Sequence, residues 1–177
     1  MAVTDTITKA GVRGWAQRQA AEYRNGEDRP LGGYLKLMSV YAAGTGGALL
    51  AAKKLGLPPA QLTPWDAVQL SVATHRLSRT LAKDAVTSPL RAPFTVYEGV
   101  SAPSELHEEV RSHNGIHHSV GELVTCPMCL AQWVATGFTM GLVFAPTATR
   151  TAMSIFTAVA GADFLQYAFA KLQQAAG

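Results

Sequence analysis

The feature that most constrains this chain is a pair of long apolar runs in its C-terminal third. Leu123 to Pro146 passes without a charged residue, and Thr151 to Ala170 carries only Asp163. Each matches the roughly 20 residues that a helix needs to cross the hydrocarbon core of a bilayer. In lipid the backbone must satisfy its own polar groups, so such runs predict helices. The connection Thr147-Ala148-Thr149-Arg150 is short, which predicts an antiparallel helix pair. A third run, Tyr34 to Ala52, holds a single charge at Lys36, and its Gly44, Gly46 and Gly47 offer a surface that another helix can approach closely.

A fourth helix is predicted from Pro64 to Lys83, because proline is tolerated in a first turn. It carries Asp66, His75, Arg76, Arg79 and Lys83, so it reads as a polar helix packed among the apolar ones rather than a lipid-facing span. The expected fold class is therefore all-α, a polytopic membrane helical bundle with helices at about 34–52, 64–83, 123–146 and 151–170. Residues 84–122, interrupted by Pro89, Pro93 and Pro103, read as a loop region. Residues 31–177 form one membrane domain in this reading, and residues 1–30 a separate N-terminal segment. Within that segment, Val12, Trp15, Ala16, Ala20 and Tyr23 recur at helical spacing between Lys9 and Arg24, as in a helix lying at a membrane surface or in an ordinary surface helix. Asn25 to Pro30 then breaks the pattern. The first residues show neither an apolar core nor a small-residue cleavage site, so no secretory signal is expected.

Composition supports a membrane setting. Of 177 residues, 15% are charged and 48% hydrophobic, against roughly 25% charged in soluble domains. The net charge of +3 is spread among acids instead of massed on one segment, which argues against nucleic acid as a partner. With four membrane elements, Lys53, Lys54 and Arg150 fall on one side and all other basic residues on the opposite side or near it. The positive-inside rule then places both termini and the central loop in the cytoplasm of a bacterial inner membrane. Expected partners are the lipid bilayer, anionic lipid, and a second copy or other membrane proteins.

Three groups of residues are candidates for chemistry. His113, His117, Cys126 and Cys129 gather thiol and imidazole donors of the kind zinc takes in tetrahedral sites, making zinc the candidate cofactor. The first functional reading is a non-catalytic membrane protein in which these residues form a structural or regulatory metal site; the alternative is a membrane thiol–disulfide oxidoreductase, with Cys126 as nucleophile and Cys129 as resolving thiol. Thr125 would cap the third membrane helix and Cys126 would sit in its first turn, where the helix N-terminus stabilises a thiolate. Second, Arg76 and Asp163 lie at equal distance, about 18 Å, from the predicted outer ends of their helices. A buried carboxylate in hydrocarbon needs a partner, and Arg76 or the adjacent His75 would supply it in a structural ion pair. Third, the run from Lys83 to Thr95 is dense in hydroxyls and cations, with Lys83 and Arg91 as candidates for a lipid phosphate. Five histidines in the chain are too few for a histidine-box di-iron site.

The blocks Thr74-His75-Arg76-Leu77-Ser78-Arg79, Lys83-Asp84-x-x-Thr87-x-x-x-Arg91-Ala92-Pro93-Phe94-Thr95 and Gly121-Glu122-Leu123-x-x-Cys126-Pro127-x-Cys129-Leu130-x-x-x-Trp133 occur in this order. They resemble an uncharacterised bacterial membrane family, domain of unknown function 1360, over about Trp65 to Ala170. Some members are labelled sporulation proteins, so the resemblance implies an envelope or developmental role and no particular reaction. His117 and His118 stand outside the shared motif, which implies that the cysteines matter without them.

Overall fold

A computed structural model describes residues 2–27, 29–112 and 115–176, with side chains described from Gly11 onward. Its main elements are helices α1 (Ala2–Arg24), α2 (Leu31–Lys54), α3 (Pro64–Lys83), α4 (Ser88–Arg91), α5 (Gly115–Thr125), α6 (Pro127–Phe144) and α7 (Pro146–Ala176), with strands β1 (Thr95–Ala102) and β2 (Glu105–Val110) between α4 and α5. The chain is thus mostly helical, as its apolar runs require, but it is not all-α. The segment expected to be a loop, 84–122, folds into a short 3-10 turn, α4, an antiparallel hairpin and α5. His113 and Asp28 lie outside the described residues, as does the side chain of Lys9.

Among the described residues, three helices are long and apolar enough to cross a membrane: α2, α6 and α7. At about 1.5 Å per residue, α6 spans about 27 Å and α7 about 46 Å, so α7 outruns a hydrocarbon core of about 30 Å. The polar helix α3 packs against both α6 and α7, while α2 packs against α5 and α6. The apolar side of α3 contributes Ala73, Leu70 and Leu77 to a core completed by Val134, Phe138 and Leu142 of α6 and Met153 and Phe156 of α7. Its polar side is buried too, at Asp66, Gln69, Thr74 and Ser78.

Helix ends follow local chemistry. Thr63 caps α3: its hydroxyl accepts the Asp66 N–H at 3.0 Å while the Asp66 carboxylate accepts the Thr63 N–H at 3.0 Å. Arg150 then joins the first turns of α3 and α7, donating from Nε to Asp66 Oδ1 at 2.8 Å and from Nη2 to the Gln61 carbonyl at 3.2 Å. Two expected boundaries move, both because a residue before proline is pushed out of the helical region. Pro127 holds Cys126 extended (φ −103°, ψ 107°), so the predicted 123–146 helix is two helices, α5 and α6, that meet at Cys126. Ala145 breaks the chain likewise before Pro146, and the expected loop 147–150 is the first turn of α7.

Candidate functional site

The hairpin is fastened to the end of α3 by arginines. Arg91, in α4, is 1% exposed and its five N–H groups are all engaged. Its Nε and Nη2 fork onto the Glu108 carboxylate of β2 at 2.5 and 3.2 Å. Nη1 donates to the Leu81 carbonyl at 2.8 Å and to Thr87 Oγ1 at 2.7 Å, and Nη2 also reaches the Asp84 carbonyl at 3.2 Å. Thr87 in turn donates to the Thr80 carbonyl, and the Thr95 hydroxyl donates to the Arg91 carbonyl at 3.0 Å. The string of hydroxyls and cations expected to meet a lipid phosphate therefore ties α3, α4 and the hairpin together. Arg91 has no N–H left for an external anion; Lys83 stands half-buried in the last turn of α3.

One turn back along α3, the structure brings Arg76 and Asp163 together. Arg76 Nε lies 2.9 Å from Asp163 Oδ2, and its Nη2 donates to Asp84 Oδ2 at 3.2 Å. The approach to Asp163 is off the line of the Nε–H bond, so this contact is an ion pair without a well-aligned hydrogen bond. Arg79 pairs with Glu105 at the start of β2, which also bridges to Asp84. His75 is exposed and lines the same cleft of about 370 Å³, walled by α3, by Asp163 and Tyr167 of α7, and by the hairpin tip at Pro103 and Ser104. The extra partners of Arg76, Asp84 above all, are not visible in a helix-depth argument.

The cysteines lie at the α5–α6 junction. Both are free thiols, and they come within 2.8 Å of each other. Cys126, expected in the first turn behind a Thr125 cap, is itself the cap: its Sγ accepts the Cys129 N–H at 3.3 Å. Thr125 instead closes α5, its hydroxyl donating to the Gly121 carbonyl at 2.9 Å. Among the described residues no group of three histidines, cysteines and carboxylates stands where it could hold a metal. The His117 ring lies against Phe94, with centroids 5.7 Å apart. His118 is engaged with the Ser112 carbonyl at 2.6 Å and with Glu122 at 3.4 Å.

Glu122 is the functional candidate that sequence reasoning passed over. On α5, one turn before Cys126, it accepts from the Tyr34 hydroxyl at 2.5 Å and from Arg29 at 3.1 Å, tying the start of α2 to the cysteine turn. Its presence in the Gly-Glu-Leu-x-x-Cys block was the one available signal. Gly121 beside it has no room for a side chain, since a Cβ there would meet Val110 Cγ1 at 2.5 Å and the Phe94 carbonyl oxygen at 3.2 Å. Between α2, α5 and α6 lies a groove of about 480 Å³, lined by Leu37, Met38, Tyr41, Leu123 and Trp133, with Cys129 in its wall.

The described chain is mostly helical, with three helices long and apolar enough to cross a membrane and the polar α3 packed against two of them, a make-up that points to a membrane protein. Within that class the family is specific. The family model described as protein of unknown function (DUF1360) matches residues 69–169, more than half of the chain, and the chain belongs to that family. No curated protein and no solved structure matches it. The matched range holds the Arg76 and Arg91 clusters and the whole Glu122–Cys129 turn.

Proposed function

We propose that this is an integral membrane protein of the bacterial inner membrane, with cytoplasmic termini, whose Cys126 and Cys129 work as a reversible dithiol–disulfide pair. The observation that carries this reading is the adjacency of two free thiols at a capped helix start. The Cys129 N–H at the first turn of α6 donates to the Cys126 Sγ at 3.3 Å and holds it beside Cys129. In exchange with an oxidised disulfide, the Cys126 thiolate attacks one sulfur, forms a mixed disulfide and releases one partner thiolate. Cys129, deprotonated, then attacks the Cys126 sulfur and expels the second partner thiolate. Two electrons pass from the pair to the partner, and two protons leave the thiols. The basic residues on the hairpin side, together with the exposed Trp15 and Tyr23 of α1, suit a surface that meets anionic lipid.

Zinc is the second reading, because the same adjacency makes half of a tetrahedral site. His117 faces Phe94, so a zinc ion here would draw its remaining donors from outside the described residues, with His113 the nearest in sequence, or from a second copy. One experiment separates the two: metal content and thiol titre of the purified protein, followed by a redox titration read by maleimide gel shift. A metal-free protein that forms an intramolecular disulfide supports the dithiol reading. One zinc per chain with both thiols masked overturns it.

A further inference from the structure

The groove beside Cys129 has a chemistry of its own. Its walls are Leu37, Met38 and Tyr41 of α2 and Trp133 of α6, with the Tyr41 and Trp133 rings edge-to-face at 5.2 Å between centroids. Its polar groups are already spoken for. Tyr34 donates to Glu122, Gln132 donates to the Tyr41 hydroxyl at 2.7 Å, and that hydroxyl shares a hydrogen with Thr136 at 2.6 Å. A hydrophilic ligand would find few free partners there, whereas an apolar ring or chain would lose nothing on entering. Both flanking helices are candidate spans, so in the membrane setting proposed above the groove opens toward hydrocarbon. Cys129 lines the groove and Cys126 does not, which sets one member of the pair at its wall.

We infer that the groove binds a membrane-soluble quinone, which accepts the two electrons of the Cys126–Cys129 dithiol. The inference rests on the dithiol reading above and adds the class of oxidant. Bilayer solubility, a flat apolar ring and a two-electron, two-proton capacity are properties that this groove and this thiol pair jointly require. The Cys129 sulfur adds to a ring carbon of the quinone as its proton passes to a quinone oxygen. The Cys126 thiolate then attacks the Cys129 sulfur, forming the S–S bond and breaking the C–S bond. The electron pair stays on the ring, and the two protons released from the thiols leave both quinone oxygens as hydroxyls.

The test uses full-length reduced protein in detergent micelles, a decyl-tailed benzoquinone, and a tail-less benzoquinone with the same ring. Disulfide formation is followed by maleimide gel shift, and quinol by absorbance. The tailed quinone should oxidise the pair about tenfold faster than the tail-less one at equal concentration, because holding the ring in the groove raises its effective concentration. Ala42→Trp, which fills the groove wall, should abolish that difference while leaving oxidation by the small thiol oxidant diamide unchanged. Leu37→Trp serves the same purpose if Ala42→Trp does not fold. Equal rates for the two quinones, or a groove-filling variant that keeps the preference, overturn the quinone site while the diamide arm leaves the dithiol reading standing. Failure of diamide to produce an intramolecular disulfide overturns both.

Discussion

Arg91→Met is the substitution whose cost can be worked most fully from the structure. It removes the fork onto Glu108, a side chain only 6% exposed, and leaves that carboxylate buried without its counter-charge. Breaking a buried pair from one side costs about 3–5 kcal/mol. The Leu81 and Asp84 carbonyls also lose a donor, whereas Thr87 keeps its bonds to Thr80 and Asp84. In a chain of this size each kcal/mol moves the melting temperature by about 2–4 °C, so unfolding in detergent should fall by about 6–20 °C. The hairpin should also become cleavable by added protease, because its main tie to α3 is gone. Replacing Glu108 as well, in Arg91→Met/Glu108→Leu, strands no charge and should recover part of the loss; the Leu81 carbonyl, deprived of its guanidinium donor at about 1–3 kcal/mol, keeps it below wild type, while the Asp84 carbonyl still accepts from Thr87. Two results would refute this reasoning: an Arg91→Met protein within about 1 kcal/mol of wild type, or a double variant that loses the full sum of the singles.

Four further expectations follow from the same geometry. Gly121→Val should destabilise the protein by about 1–3 kcal/mol, measured by thermal unfolding, since the new side chain must displace Val110 and crowd the Phe94 carbonyl. Asp163→Asn should cost only about 1 kcal/mol, because Asp84 still pairs with Arg76; the Asp84→Asn/Asp163→Asn double variant should lose more than the two singles together. Cys126→Ser and Cys129→Ser should each abolish the oxidised gel-shift species without changing the zinc content of a metal-free protein, and loss of bound zinc in either would favour the metal site. A Lys53→Cys probe in a cysteine-free background should be labelled by an impermeant maleimide from the periplasmic side, and labelling from the cytoplasm alone would reverse the proposed topology.

The apolar helices were legible because lipid-scale runs admit few other structures, and α3 was legible at both ends: Pro64 opens it and the change of pattern after Lys83 closes it. The breaks at Cys126 and Ala145 were read only approximately, as a Thr125 cap and a loop over 147–150, and the helix α5 that ends at Thr125 was not read, although Pro127 and Pro146 stand in plain view. Each falls inside an apolar stretch, where hydropathy counts proline as no interruption while its ring still excludes the preceding residue from a helix. The hairpin was hidden for another reason. On β2 the chain places Glu108, a carboxylate, at a buried position between half-buried Leu106 and Val110, and Val96, Tyr97 and Val100 of β1 remain exposed. An alternation read by polarity fails when the inward residue is charged and its partner sits on another element.

The same limit governs the site residues. Matching depths along two helices pointed from Asp163 to Arg76, because helical rise converts sequence distance into position. No such ruler reaches Asp84, Arg79 or Glu105, which meet only after the chain has turned through α4 and the hairpin. Lys83 to Thr95 shows the converse case. Hydroxyls and guanidinium groups that would cradle a phosphate are the same groups that satisfy backbone carbonyls and a carboxylate in a sharp chain reversal, so composition alone favours neither use. Burial decides between them. At Arg91 it leaves no N–H free, and the family block that reads as an anion site is, in the folded chain, the clasp that sets the hairpin and α5 in place, and with them Glu122 and the cysteine turn.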